Sequence, residues 1–208
     1  MRKVIFFILM YLTPFTLLAG NTVYGGVGIA YQKDFHDNYT RSLSMAPITI
    51  GTHGNFNRKK DVYLEGSLFF PQSEEIDFSY QNGFSGETYN IDYSSSVGLS
   101  LSAGIRMKAQ NSRRNYSMLG IGGFISILNT NYTFMESTTD LTSTNMGVNI
   151  MFDFLRETFD RKNYYGIAVD FKIGMFANYS GETDNIQASD AVKLLTLYPS
   201  IIFCYGIK

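Results

Sequence analysis

The feature that most constrains this chain is a pair of apolar runs in which every second residue is greasy and the residues between are nearly all glycine or serine. From Val97 to Met107 the apolar positions are Val97, Leu99, Leu101, Ala103, Ile105 and Met107, separated by Gly98, Ser100, Ser102, Gly104 and Arg106. After a short polar turn, Ala109 to Asn115, the pattern resumes with Leu119, Ile121, Gly123, Ile125 and Ile127 against Gly120, Gly122, Phe124 and Ser126. Alternate side chains of a strand point to opposite faces, so each run has one greasy face and one small or polar face. A soluble sheet fills its wet face with Lys, Glu and Thr, because nothing limits side-chain size there. Gly and Ser suit the crowded inside of a narrow barrel, so the pattern predicts an inverted barrel, apolar outside and polar within.

The length of 208 residues is one domain's worth. An aromatic fraction of 15%, all Phe and Tyr with no Trp, together with 19 glycines, favours strands and turns over helices. The hydrophobic fraction of 45% suits a membrane barrel, in which only one strand residue in two must be apolar. A net charge of -1 argues against a nucleic-acid partner. Cys204 is the only cysteine, which excludes an intramolecular disulfide and a thiolate metal cluster; it reads as a small buried residue of the last strand.

Arg2 and Lys3 precede an apolar run from Val4 to Leu18, interrupted by Pro14 and followed by Ala19 and Gly20. This reads as a cleaved signal peptide over residues 1–20, leaving 21–208 as the barrel. No Cys lies near the cleavage region to carry a lipid anchor, and no later segment approaches the ~20 apolar residues of a spanning helix. An exported chain of this kind ends either soluble beyond the inner membrane or in a membrane as a closed barrel.

Alternation recurs along the chain: Val23 to Tyr31, Leu43 to Phe56 (weakened by Pro47, which lacks a ladder donor), Val62 to Phe70, the opening hairpin, Met146 to Phe154, Tyr165 to Met175, and Leu195 to Ile207. The fold class is all-β, a closed antiparallel up-and-down transmembrane barrel of about eight strands. Short turns carry Arg58, Lys59, Lys60, Arg113, Arg114, Arg161 and Lys162. Long polar loops are expected over Gln32 to Ser42, Pro71 to Ser94, Phe134 to Thr144 and Asn178 to Asp190, and they hold most of the acids, Glu74 among them. Short turns face the periplasm in such barrels, which puts both termini there. Tyr116, Phe159, Tyr164, Tyr165 and Tyr205 are expected to form a girdle at the periplasmic rim, and Tyr31, Phe70, Tyr132 and Tyr179 one at the outer rim.

The inward set contains Glu65, Arg106, Asp153, Asp170 and Lys172, plus His53. A barrel of about eight strands is just wide enough for side chains to fill it, so these groups must meet. A buried charge without a partner costs several kcal/mol, so the set is expected to form an ion network that plugs the lumen. A gated ion or proton path is the alternative for charges at membrane depth. His36, with Asp34, Asp37 and Ser42 near it, is the candidate for a lipid-modifying site, but no spacing supports it and no catalytic residue is assigned. No metal site and no cofactor is expected. The glycine-rich strands match no phosphate-binding pattern, because no helix follows them.

These residues resemble the small eight-stranded outer-membrane barrels, the group of the OmpA transmembrane domain, OmpX and OmpW. The likeness covers Val23 to Lys208 and rests on architecture. That group's last strand alternates aromatics and ends in Phe; here Phe203 and Tyr205 keep the alternation, but the chain ends Gly206, Ile207, Lys208. The resemblance implies a bacterial outer-membrane location, with membrane lipid and the barrel insertion machinery as partners and an extracellular ligand for the loops. The expected function is a non-enzymatic barrel whose loops serve surface interaction or envelope integrity. The alternatives are a narrow channel for ions or small hydrophobic solutes, a lipid A-modifying enzyme, and a secreted barrel of lipocalin type, which would bury the Leu and Ile faces.

Overall fold

The computed structural model describes residues 22–36, 39–57, 60–78, 88–91, 96–111, 114–134, 137–160, 162–182 and 193–207; the expected signal peptide lies outside the described residues. The strands are β1 (Thr22–His36), β2 (Tyr39–Asn57), β3 (Lys60–Phe78), β4 (Thr88–Ile91), β5 (Ser96–Asn111), β6 (Asn115–Phe134), β7 (Ser137–Glu157), β8 (Asn163–Glu182) and β9 (Lys193–Ile207). Apart from the short β4, which β5 bypasses to pair with β3, neighbours in sequence pair antiparallel, and β1 pairs with β9 from Val23↔Ile207 onward, so the sheet closes on itself. The wall has eight strand positions. The short β4 pairs with Glu74 to Asp77 of β3, beyond the point where β5 leaves that edge at Phe69↔Gly98.

Alternation decides which face is which. Val27, Ile29, Phe154 and Phe203 are 59%, 68%, 58% and 60% exposed on the outer wall, whereas Asp34, Asn149, Asp170 and Lys172 are buried inside. This is the reverse of a lipocalin-type barrel. On β7 the outward positions read Thr144, then Met146, Val148, Ile150, Phe152 and Phe154, then Arg156. Polar residues thus bracket an apolar stretch of the ~9–11 residues that a tilted strand needs to cross a bilayer.

The strands are longer than the apolar belt, which corrects the expected loops. β6 and β7 stay paired out to Phe134↔Ser137, and β1 and β2 to Phe35↔Thr40, so much of Gln32 to Ser42 and Phe134 to Thr144 is ladder. β3 runs to Phe78 and β8 to Glu182. The reason is physical: beyond the apolar belt neither face of the wall is restricted to apolar residues, so alternation fades while backbone pairing continues.

Prolines interrupt the ladders without changing their register, and a bulge shifts it. The β1–β2 ladder steps from Val27↔Ile48 to Ala30↔Met45 across Pro47, and the β1–β9 ladder from Ala30↔Ser200 to Lys33↔Leu197 across Pro199. Each proline removes a donor without ending its strand. In β3, Met45 pairs with Pro71 and Ser44 with Ser73, which leaves Gln72 as an extra residue whose side-chain amide donates to the Phe70 carbonyl at 3.1 Å. An extra residue shifts the alternation by one, and Glu74 is turned to the inside.

Inside, glycines make room for tyrosine rings. A Cβ at Gly122 would stand 2.4 Å from the Tyr63 hydroxyl, one at Gly51 2.3 Å from the Tyr24 ring, and one at Gly206 2.1 Å from the Tyr164 ring. Two apolar clusters complete the filling. Met118, Leu155, Tyr164, Ala168, Ile202 and Cys204 pack with Tyr24 toward the end where β1 begins and β9 stops. Ala30, Leu43, Met45, Phe69, Leu128 and Tyr198 form a septum farther along. At the β7–β8 turn the Thr158 hydroxyl donates to Asp160, and the Lys162 N–H donates to the same carboxylate at 3.2 Å.

Candidate functional site in the barrel lumen

Arg106 stands at the centre of the lumen, 3% exposed, because it continues the inward row of Ser100, Ser102 and Gly104 on β5. It donates to the Tyr24 hydroxyl at 2.6 Å and to the Met151 sulfur at 2.9 Å. Its other terminal nitrogen is 3.3 Å from the Asp153 carboxylate, and Glu65 lies 3.8 Å away. The Tyr24 hydroxyl passes its own hydrogen to Glu65 at 2.8 Å. The guanidinium also lies over the rings of Tyr24 and Tyr63, at 5.1 and 4.6 Å from their centroids, where the ring quadrupoles attract a cation.

Asp170 and Lys172 form a second pair, with the ammonium 2.5 Å from the carboxylate and 5.1 Å from the Tyr198 ring. The link between the two pairs is polar. The Tyr63 hydroxyl donates to Asn149 at 2.9 Å, and the Asn149 amide donates to Asp170 at 3.4 Å. His53 sits nearer the chain termini: its Nδ1 is 3.4 Å from Asp61, its Nε2 3.3 Å from the Tyr164 hydroxyl, and Lys108 reaches the same Asp61 oxygen at 3.5 Å. Glu65, Arg106 and Asp153 are therefore in one cluster, Asp170 and Lys172 in an adjoining one, and His53 in a third, at whose border its ring is 6.1 Å from that of Tyr24.

Beyond the septum lies a further polar layer. Arg41 is bound to Glu74, donates to Thr130 at 3.2 Å, and stands 4.0 Å from Asp34. Asp34 in turn accepts from Gln32 at 3.0 Å and from Thr196 at 2.8 Å. Sequence reasoning missed this layer, having assigned Asp34 and Glu74 to loops. The inward parity of Thr49, Met45 and Leu43, carried two residues further along β2, would have found Arg41.

Two girdle assignments are corrected. Tyr164 is buried under Gly206, and Tyr116 packs on it edge to face at 6.3 Å. Both share the inward parity of Gly166 and Gly120. Tyr165, Tyr205, Tyr31 and Phe70 do face outward, and Phe159 is exposed in the turn. The side chains of Tyr132, Tyr179 and His36 lie outside the described residues. Among the described residues no group of three His, Cys, Asp or Glu is arranged to hold a metal.

No family model matches the chain, and no curated protein matches it in sequence. Solved structures do. The crystal structure of the outer membrane protein OprG from Pseudomonas aeruginosa matches with a TM-score of 0.55 and 12% identity, over 90% of this chain and 95% of that one. Ail, the attachment invasion locus protein of Yersinia pestis, matches with a TM-score of 0.41 at 12% identity, over 90% of this chain and 97% of that one. The outer membrane protease OmpT of Escherichia coli matches with a TM-score of 0.37 at 8% identity, over 90% of this chain and 96% of that one. The fold is that of the outer-membrane β-barrels.

Proposed function

We propose that this protein is an integral bacterial outer-membrane barrel, both termini periplasmic, whose lumen is closed by its internal ion network. Its activity resides in the far ends of the strands and the loops they carry, as surface interaction or envelope support. It is not an enzyme in this reading. The observation that carries it is the inverted partition of side chains, with Ile29 68% and Phe203 60% exposed while Asp170 and Lys172 are fully buried. A wall so apolar requires hydrocarbon around it. The charges meet one another and the septum crosses the lumen above them. The cavity between Gln32, Phe69, Ser100, Lys172 and Tyr198 holds about 10 Å³, room for one water.

The test is planar-bilayer recording on protein whose heat-dependent gel shift shows a folded barrel. Absence of steady conductance steps is expected. Clear steps that change in size on Glu65→Gln or Arg106→Met would favour the second reading, a narrow ion path. That reading draws on the polar chain from Arg106 through Tyr63, Asn149 and Asp170 to Lys172, since ionisable groups at membrane depth often mark a path.

A further inference from the structure

The outer wall is not uniform. Across β6 to β9, near the end where β1 begins and β9 stops, an open groove of about 940 Å³ is lined by Phe154, Ile167, Val169 and Phe203, with Asn115, Arg156 and Tyr165 at its edge. The register explains its shape. Ser117, Phe154, Ile167 and Phe203 are successive partners across four strands, so two large rings bound a trough whose middle and flank are smaller side chains. Two residues nearer the rim the same strands place Asn115, Arg156, Tyr165 and Tyr205 side by side. That row offers one cation flanked by an amide and two phenols. Arg156 is exposed, and among the described residues no carboxylate forms an ion pair with it.

We infer that this groove is a binding site for one anionic glycerophospholipid, its phosphate on Arg156 with Asn115 and Tyr165 as hydrogen-bond donors, and an acyl chain in the trough between Phe154 and Phe203. The inference rests on the membrane reading above and deepens it. A guanidinium matches phosphate geometry with two parallel donors, and it sits at the depth where an apolar belt gives way to polar residues. The neighbouring trough of about 430 Å³ over Gly25, Val27, Ile48 and Ile50 has comparable greasy walls and no charged residue in its lining. It therefore serves as an internal control.

The chain has no Trp, so a single introduced one is a clean reporter. Phe154→Trp marks the groove and Ile50→Trp the control trough. Each is refolded into phosphatidylcholine vesicles containing a small fraction of brominated phosphatidylglycerol. Quenching of Phe154→Trp is expected to report local enrichment of about fivefold, the factor that roughly 1 kcal/mol per surface arginine gives. Ile50→Trp should follow the bulk mole fraction. Adding Arg156→Gln to Phe154→Trp should abolish the excess, and brominated diacylglycerol should show none. Equal quenching at both positions, or an excess that survives Arg156→Gln, overturns the site while leaving the membrane reading intact. No quenching of either Trp by brominated bulk lipid overturns the membrane reading itself. Should Phe154→Trp fail the gel-shift test for folding, Val169→Trp reports on the same trough.

Discussion

Replacing Arg106 by Met keeps an unbranched, flexible but shorter side chain and removes the charge that stands beside Glu65 and Asp153. The separations of 3.3 and 3.8 Å correspond to attractions of about 5 and about 4 kcal/mol at an effective dielectric of roughly 20. Desolvation offsets much of this in the intact protein, but after the substitution the two carboxylates still bear their own desolvation without that cation beside them. Removing one member of a buried pair costs about 3–5 kcal/mol, and the hydrogen bond to the Tyr24 hydroxyl goes with it. Arg106→Met should therefore lower stability by about 3–5 kcal/mol, read from urea titration in lipid vesicles with the heat-dependent gel shift as the signal. The triple variant Arg106→Met, Glu65→Gln, Asp153→Asn removes the stranded charges and should recover more than half of the loss. If the single variant unfolds within about 1 kcal/mol of the parent, or the triple variant is weaker than the single one, the picture of a mutually neutralising cluster is wrong.

Three further outcomes are expected. Gly206→Ala places a methyl group against the Tyr164 ring and should cost about 1–3 kcal/mol, with Gly206→Ala, Tyr164→Ala losing less than the two single losses summed; strict additivity in the urea titration would refute the fit of ring into glycine. Deleting Gln72 removes the extra residue of the bulge while keeping the parity of Glu74, so the barrel should still fold and still shift on gels, whereas a second insertion beside Gln72 should expel Glu74 from Arg41 and expose the far end of β3 to protease. The Asp160 carboxylate, held below the ordinary aspartate range by the Thr158 hydroxyl and the Lys162 N–H, contributes order to its turn that is present above the unfolded value and is lost only as pH falls through the lowered one. Its titration by carboxyl NMR should move back up in Thr158→Ala; an unchanged midpoint would refute the assignment.

How much of this was legible in the sequence depends on whether a residue lies in the apolar belt. Within the apolar belt, strict alternation placed Val97 to Met107 and Leu119 to Ile127 on the correct faces, and the same rule put Glu65, Arg106, Asp153, Asp170, Lys172 and His53 inside. The partners that connect them were harder to see. Tyr24, Tyr63 and Asn149 carry no charge to draw attention. Tyr164 was misread because a tyrosine near a strand end suits an interface equally well; the deciding signal was the glycine opposite it, Gly206. Outside the belt the pattern carries less information. Glu74 could not be placed because one extra residue, Gln72, reverses the count, and composition alone made Thr-rich β7 from Ser137 to Thr144 look like a loop although every residue there has a ladder partner.

The surplus length of the strands has a mechanical meaning. From Ile127, the last aliphatic of the β6 belt, the paired wall continues to Phe134, a rise of about 15–20 Å for a tilted strand. In the membrane setting proposed above, this length is a stiff collar beyond the apolar belt, braced from within by Arg41 and Glu74. In that setting a change at the Phe134↔Ser137 end is separated from the apolar belt by paired wall, so that end can vary while the belt stays the same.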